Sequence, residues 1–218
     1  FRRVLFRSSS KVVLNIQRVS EKFVRPVLQI VSGSFIVIFI TSVLLSGNLL
    51  AKEIYTIRSS EKLNFKYFVS GIPVSGQFYI DKTSFTVDFS KEEQSRLYIK
   101  IDLKKSTAGF PLATKAMLGS SVLNSQKYPF MEFTSTDISR EGMRYEINGL
   151  LSLRGLKRKV TILALSEKGN KKKSKTLNFK IKSSINRFEF GANGYSILVG
   201  NEIKLDSNII LIKKERDG

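Results

Sequence analysis

The chain has 218 residues, a formal net charge of +19, 42% hydrophobic residues, no cysteine and no histidine. The lack of cysteine excludes disulfides, thiol nucleophiles and zinc–thiolate sites, and the lack of histidine removes the commonest general base and metal ligand. We therefore expect one domain with a sizeable core, and a protein that is not an enzyme and uses no metal or cofactor.

Residues 1–51 are predicted to be a leader that precedes a folded domain at 52–218. Residues 1–8, FRRVLFRS, resemble translated adaptor sequence. The basic residues Arg18, Lys22 and Arg25 precede an uncharged run at 26–51, which is the layout of a secretory signal peptide. We expect cleavage after Ala51, with an uncut membrane anchor as the alternative, because about 20 apolar residues can span a bilayer. Both place the domain in the periplasm, secreted or tethered to the inner membrane.

Stretches of alternating polarity after the leader predict antiparallel strands. The first four lie at 54–58, 63–68, 74–80 and 85–89, with a break at Ser70-Gly71 between the second and third. Residues 97–103 then alternate most regularly. A proline suited to a helix start, Pro111, opens a run of helix formers up to Leu118, which predicts a short helical insertion.

A hairpin follows the next predicted strand at 130–138. Tyr145, Ile147, Gly149, Leu151 and Leu153 share one side of a strand, and the glycine at 155 permits a reversal into a second strand. The mid-strand glycine indicates either a barrel corner or a plain packing position. Strands at 175–185 and 203–212 complete the predicted set.

Three segments resemble motifs of the YceI-like family of periplasmic lipid-binding proteins. The segment INGLLSLRGLKRKV at 147–160 is similar to the family's V-x-G-x-L-T-[IL]-x-G-x-T-x-x-V, YPFMEFTST at 128–136 to its Y-P-x-[AI]-x-F-x-S-T, and INRFEFG at 185–191 to its I-x-R-x-[DE]-F-G. The resemblance covers residues 55–213. The chain departs from the family by lacking its frequent histidine before SGQF at 75–78, and its Arg-Asp pair near Thr114, so no role of those residues carries over.

About eight alternating strands predict an all-β fold, as a closed antiparallel barrel or a sandwich. The resemblance implies the first: an eight-stranded lipocalin-like barrel that encloses an isoprenoid or another long-chain lipid. The implied function is transport or storage of that lipid in the periplasm, with no bond made or broken. Taken singly, an inward apolar strand residue is more often core than ligand contact, and the resemblance favours a lipid-lining role. The predicted lining residues are Phe65, Phe85, Phe89, Leu97, Ile99, Ile101, Met131, Phe133, Ile147, Leu151, Phe179, Ile181, Leu205 and Ile209.

Polar groups near the mouth of such a barrel would fix a lipid head group. Arg187 and Glu189 are the candidates, and the alternative is an internal salt bridge between them that holds the last loop down.

The positive charge favours a second hypothesis, a basic module that binds anionic membrane or nucleic acid. Residues 1–51 carry 7 Lys and Arg and one Glu, which leaves +13 for the domain, and part of that excess lies in the runs at 171–175 and 213–216. Such runs are usually solvated loops. We therefore expect an isoprenoid lipid partner, no nucleic acid, and leave membrane contact and a homodimer open. A membrane-spanning barrel is excluded because outward positions such as Lys100, Asp102 and Lys180 are charged.

Overall fold

The computed structural model describes residues 52–57, 62–167 and 174–215. The predicted leader at 1–51 and the lysines at 171–173 lie outside these residues. Within the described residues, no helix combines the length and the apolar character that a membrane crossing needs.

The described residues form one antiparallel sheet and a short α-helix. The helix, α1, spans Pro111–Leu118 and confirms the predicted insertion, with Pro111 in its first turn. The strands are β1 Glu53–Ile57, β2 Lys62–Val69, β3 Ile72–Val87, β4 Arg96–Thr107, β5 Phe130–Glu141, β6 Arg144–Leu153, β7 Leu156–Ser166, β8 Thr176–Asn186 and β9 Glu202–Lys213.

The sheet closes on itself. Its order is β1-β3-β2-β9-β8-β7-β6-β5-β4, and β4 also pairs with β3. Strands β1 and β2 run in the same direction and share one position between β3 and β9: β1 pairs with the far end of β3 at Phe85–Val87, and β2 with its start at Ile72–Tyr79. The barrel therefore has eight strand positions, which confirms the predicted closed eight-stranded barrel.

One detail of the predicted strands is wrong. The segments predicted at 74–80 and 85–89 form a single long strand, β3, and only the residues from 88 onward leave it. Asp81 and Lys82 are both exposed, which breaks the alternation, because the pairing with β4 shifts between Ile80 and Lys82. This β-bulge bends the strand without ending it.

The β6–β7 hairpin is as predicted. Arg154 and Gly155 both have positive φ, 53° and 77°, as a two-residue hairpin turn requires. Beside Gly149 the β5–β6 pairing shifts between Ser135 and Asp137, and a Cβ on Gly149 would lie 2.5 Å from the Phe133 ring. Gly149 therefore serves both a bend in the barrel and close packing.

The two ends of the barrel differ in their connections. The end that we call the open end has the β2–β3 turn at Ser70-Gly71, α1 with residues 119–129, the β6–β7 turn and the long segment 187–201. The opposite, closed end has the connection at 88–95 and the tight β5–β6 turn at Gly142-Met143.

Candidate functional site

A cavity of about 220 Å³ lies at the open end of the barrel. Its roof consists of one side of α1 and of residues 192–199. Its walls consist of residues from β2, β3, β5, β6, β8 and β9. Roof residues are Leu112, Ala113, Ala116, Met117, Ala192, Tyr195, Leu198 and Val199. Wall residues are Phe65, Tyr67, Val69, Phe78, Met131, Leu153, Ile185 and Ile203. Strand ends thus supply a fixed apolar wall, while non-strand segments supply the roof.

A glycine on the neighbouring strand makes room for one ring of the aromatic wall. The Phe65 ring stacks on Phe78 at 4.2 Å between centroids and lies directly over Gly76, its cross-strand partner. A Cβ on Gly76 would overlap that ring and would come within 2.6 Å of the Thr107 carbonyl oxygen. Because this strand position has no side chain, the ring can lie flat against the barrel wall.

The buried polar side chains of the cavity lining, Tyr67 and Arg187, are already hydrogen-bonded. The Tyr67 hydroxyl donates to the Ala108 carbonyl at 2.8 Å, and burial raises the pKa of this phenol. A ligand that brings a polar group into this cavity would lose hydrogen bonds to water without replacement, at a cost of roughly 1–3 kcal/mol. The cavity therefore selects apolar ligands.

Arg187 is the charged residue of the cavity lining, and it is 4% exposed. Its guanidinium donates to four backbone carbonyls: Gly200 at 2.9 Å, Gly194 and Val199 at 2.8 Å, and Ala192. Burial lowers the pKa of this arginine. The side chain thus holds the segment 187–201 in place from inside.

The two head-group candidates are not brought together. Glu189 is exposed at the surface, and Arg187 holds the last loop through carbonyl oxygens and not through the carboxylate that the alternative required. A role for either residue with a lipid head group stays a prediction.

The fourteen predicted lining residues are distributed along the whole barrel. Phe65 and Met131 line the main cavity. Seven line a smaller void of about 50 Å³ toward the closed end: Phe85, Leu97, Ile99, Ile147, Phe179, Ile181 and Ile209. Phe89 lies with Phe85 at a gap of about 10 Å³ at the closed end.

The remaining four predicted residues line none of these spaces. Ile101, Phe133 and Leu151 are buried and Leu205 is half-buried. Along β6, Leu151 lies between Leu153 of the main cavity and Ile147 of the smaller void. Ile101, Phe133 and Leu151 therefore form a packed middle layer between the two spaces.

Most residues of the main cavity were not predicted. The roof residues lie outside the strands, and the predicted set also left out six of the eight wall residues: Tyr67, Val69, Phe78, Leu153, Ile185 and Ile203. Strand alternation shows which side chains face inward, but not at which height the interior is hollow. One signal was present in the sequence: Ala113 and Ala116 are small residues on a helix inserted between two strands.

Comparisons with known proteins agree with this architecture. The family model described as a YceI-like domain matches residues 55–211. A curated relative from Photorhabdus laumondii, UPF0312 protein plu2095, is 28% identical over 81 residues, which cover 37% of this chain and 42% of that protein. The match thus spans less than half the length of this relative.

Three solved structures share the fold at low identity. BcnA of Burkholderia cenocepacia has a TM-score of 0.61 at 18% identity, over 71% of this chain and 98% of that one. The Campylobacter jejuni YCEI protein has 0.53 at 17%, over 63% and 84%. A domain of Saccharophagus degradans, described as a polyisoprenoid binding domain, has 0.54 at 12%, over 74% and 98%.

Proposed function

Because the chain belongs to the family of YceI-like domains, we propose that it binds a long-chain isoprenoid lipid, of polyprenyl or prenyl-quinone type, without catalysis. It carries or stores this lipid in the periplasm. The observation that supports this most directly is the apolar cavity at the open end, where the buried polar groups of Tyr67 and Arg187 are occupied by internal hydrogen bonds. The Saccharophagus degradans neighbour, described as polyisoprenoid-binding, supports the ligand class.

Burial of the tail supplies the binding energy. At about 25 cal/mol per Å² of apolar surface removed from water, a long prenyl tail gains roughly 10 kcal/mol before the costs of association. A reaction is not needed to hold or release such a ligand.

The cavity volume sets how much of the tail is enclosed. An engineered protein cavity of about 150 Å³ holds one benzene molecule, so about 220 Å³ holds roughly two isoprene units by the same scale. A longer tail enters only if the middle layer of Ile101, Phe133 and Leu151 moves and joins the main cavity to the smaller void.

Localisation in the periplasm rests on the basic residues 18–25 and the uncharged run at 26–51. In this proposal, these residues direct the protein to the periplasm, and the domain binds the lipid.

Mass spectrometry of an organic extract of the purified full-length protein tests the proposal. We expect a prenyl quinone or polyprenol at a ratio near one per chain. A clean extract, together with no uptake of added prenyl lipids of increasing tail length, would refute it.

A further inference from the structure

The exposed apolar side chains of the described residues are concentrated around the cavity. The five most exposed large ones are Ile197 at 97%, Leu112 at 74%, Ile72 at 65%, Leu198 at 54% and Tyr195 at 53%. We call these five residues the apolar tip. Leu112, Tyr195 and Leu198 also line the cavity, so the tip surrounds its opening.

Two of the three segments that carry the tip are hydrogen-bonded to each other. The Ser70 amide donates to the Leu198 carbonyl at 2.7 Å, and the Gly200 amide donates to the Phe68 carbonyl at 2.9 Å. The β2–β3 turn and the loop with Ile197 therefore present their apolar residues as one surface.

Exposed basic residues lie around this surface. Lys115 is on α1, Lys66 is on β2 four residues before its turn, and Lys127 lies next to Tyr128, on which the β6–β7 turn packs. Lys157 and Arg158 follow that turn. We call these five residues the basic collar.

The acidic residues of the described open end offset part of this charge. They are Asp102, Glu132, Glu189, Glu202 and Asp206, of which Asp206 lines the same surface depression as Lys66 of the collar. Asp102 lies 3.5 Å from Lys105, and Glu202 lies 3.3 Å from Lys204. Neither of those lysines belongs to the collar. The open end thus presents apolar side chains inside a ring of positive charge.

We propose that the open end docks on the surface of an anionic bilayer, with the apolar tip in the interface and the basic collar at the head groups. This proposal rests on the proposed function, since it names the membrane as the partner of the same cavity. Apolar residues surrounded by basic ones are what interfacial binding requires. An opening in the interface also lets a lipid tail enter without crossing water.

The charge distribution favours a bilayer over a second copy of the chain. Two open ends placed face to face would bring two basic collars together, and like charges repel. Anionic head groups neutralise the collar instead.

The test uses the full chain, which has no native cysteine. An environment-sensitive fluorophore is attached at Ser196→Cys, beside Ile197, or at Ser90→Cys, in the closed-end connection; both serines are exposed. Vesicles contain phosphatidylcholine alone or with an equal part of phosphatidylglycerol. We expect a blue shift for the dye at 196 on anionic vesicles, a much smaller shift on neutral ones, and none for the dye at 90. Equal shifts at both sites, or no shift at 196, would overturn docking through this end.

Two variants separate docking from lipid binding. We expect Ile72→Ser/Ile197→Ser, which changes two tip residues that do not line the cavity, and Lys115→Gln/Lys127→Gln to weaken vesicle binding by roughly tenfold or more, with Met143→Ser, an exposed apolar residue of the closed end, unchanged. Prenyl lipid supplied in detergent should still be retained by all three. A concentration-dependent shift at 196 without vesicles would show that a second copy covers the tip, and would refute the bilayer as its partner. If no lipid is retained by any form, the proposed function fails while the dye result still decides docking.

Discussion

The two ends of the barrel are formed by the same strands but differ in how tightly their side chains pack. At the closed end, Phe179 makes edge-to-face contacts with Phe85 and Tyr145, at 6.3 and 5.4 Å, and the space left between side chains is small. At the open end the side chains leave a cavity of about 220 Å³. One end thus provides packing, and the other gives up packing contacts for a space that can hold a ligand.

Charges follow the same division. At the closed end, opposite charges meet directly: Arg140 lies 2.8 Å from Glu92, and Lys213 lies 2.7 Å from Glu53. At the open end, the ion pairs Lys105–Asp102 and Lys204–Glu202 are longer, at 3.5 and 3.3 Å, and the buried cation Arg187 is stabilised by carbonyl dipoles. We therefore expect stability at the open end to depend on a few polar contacts in place of a filled core.

The largest expected effect is at Arg187. Arg187→Ala leaves four carbonyl oxygens without their donor in a buried position, so we expect the free energy of unfolding to fall by roughly 3–5 kcal/mol, measured by guanidinium denaturation. Glu189→Gln, an exposed neighbour, should change it by less than about 0.5 kcal/mol. If Arg187→Ala kept its stability and lost only lipid, Arg187 would be a head-group residue and the open end would not depend on it for stability.

The second-largest effect on stability is expected at Gly149, which lies against Phe133 of the middle layer between the two ends. Gly149→Ala should place a Cβ 2.5 Å from both the Phe133 ring and the Thr134 carbonyl oxygen. Overpacking costs about 1–3 kcal/mol, which exceeds the roughly 0.5–1 kcal/mol that alanine gains over glycine in a strand. We expect net destabilisation in urea unfolding. Gly200→Ala, where the nearest atom would be at 3.8 Å, is the matched control, and equal losses in both variants would contradict the steric explanation.

A paired substitution compares the two cavities directly. Ala116→Phe fills part of the main cavity from α1, and Ala164→Phe forces a ring into the void of about 50 Å³. We expect the first to weaken prenyl lipid binding by roughly tenfold, or about 1.4 kcal/mol, at nearly unchanged stability. We expect the second to lower stability by about 1–3 kcal/mol. Lipid titration and thermal unfolding on both variants measure this, and the reverse pattern would place the ligand at the closed end.

The smallest effect concerns the closed-end connection. The backbone amides of Ser90 and Lys91 donate to the Asp88 carboxylate and hold its pKa below the ordinary value of 3.8. This stabilisation is present above pH 3.8 and is lost as the pH falls through the lowered pKa of the folded state. Asp88→Ala should therefore reduce Tm slightly at neutral pH, with the difference from the parent vanishing in acid. Circular dichroism melts across this range measure it, and a difference that grew in acid would contradict this assignment.

Much of the barrel could be predicted because strand periodicity is local. Inward positions such as Leu151, Ile147 and Phe179 alternate with exposed ones in the sequence, and burial follows that alternation. The helix start at Pro111 and the hairpin turn at Gly155 could also be predicted, because proline and glycine each favour a particular backbone conformation there. At Asp81-Lys82 we predicted a break between two strands, whereas the structure has a β-bulge within one strand. Two successive polar residues occur in loops and in bulges alike, so the pattern does not distinguish them.

The sequence by itself determined the strand faces, the helical insertion and the apolar interior, since each depends on the properties of neighbouring residues. Only the tertiary structure decided where that interior is hollow. The size of a cavity is the volume that the barrel encloses at one level minus the volume of the side chains that lie there, and these side chains come from distant parts of the sequence. That is why Ala116 and Tyr195, distant in sequence, line the cavity, while Phe133, inward and aromatic, lies in a packed layer. The role of Arg187 was likewise decided by folding, since its partners are backbone carbonyls that have no signature in the sequence.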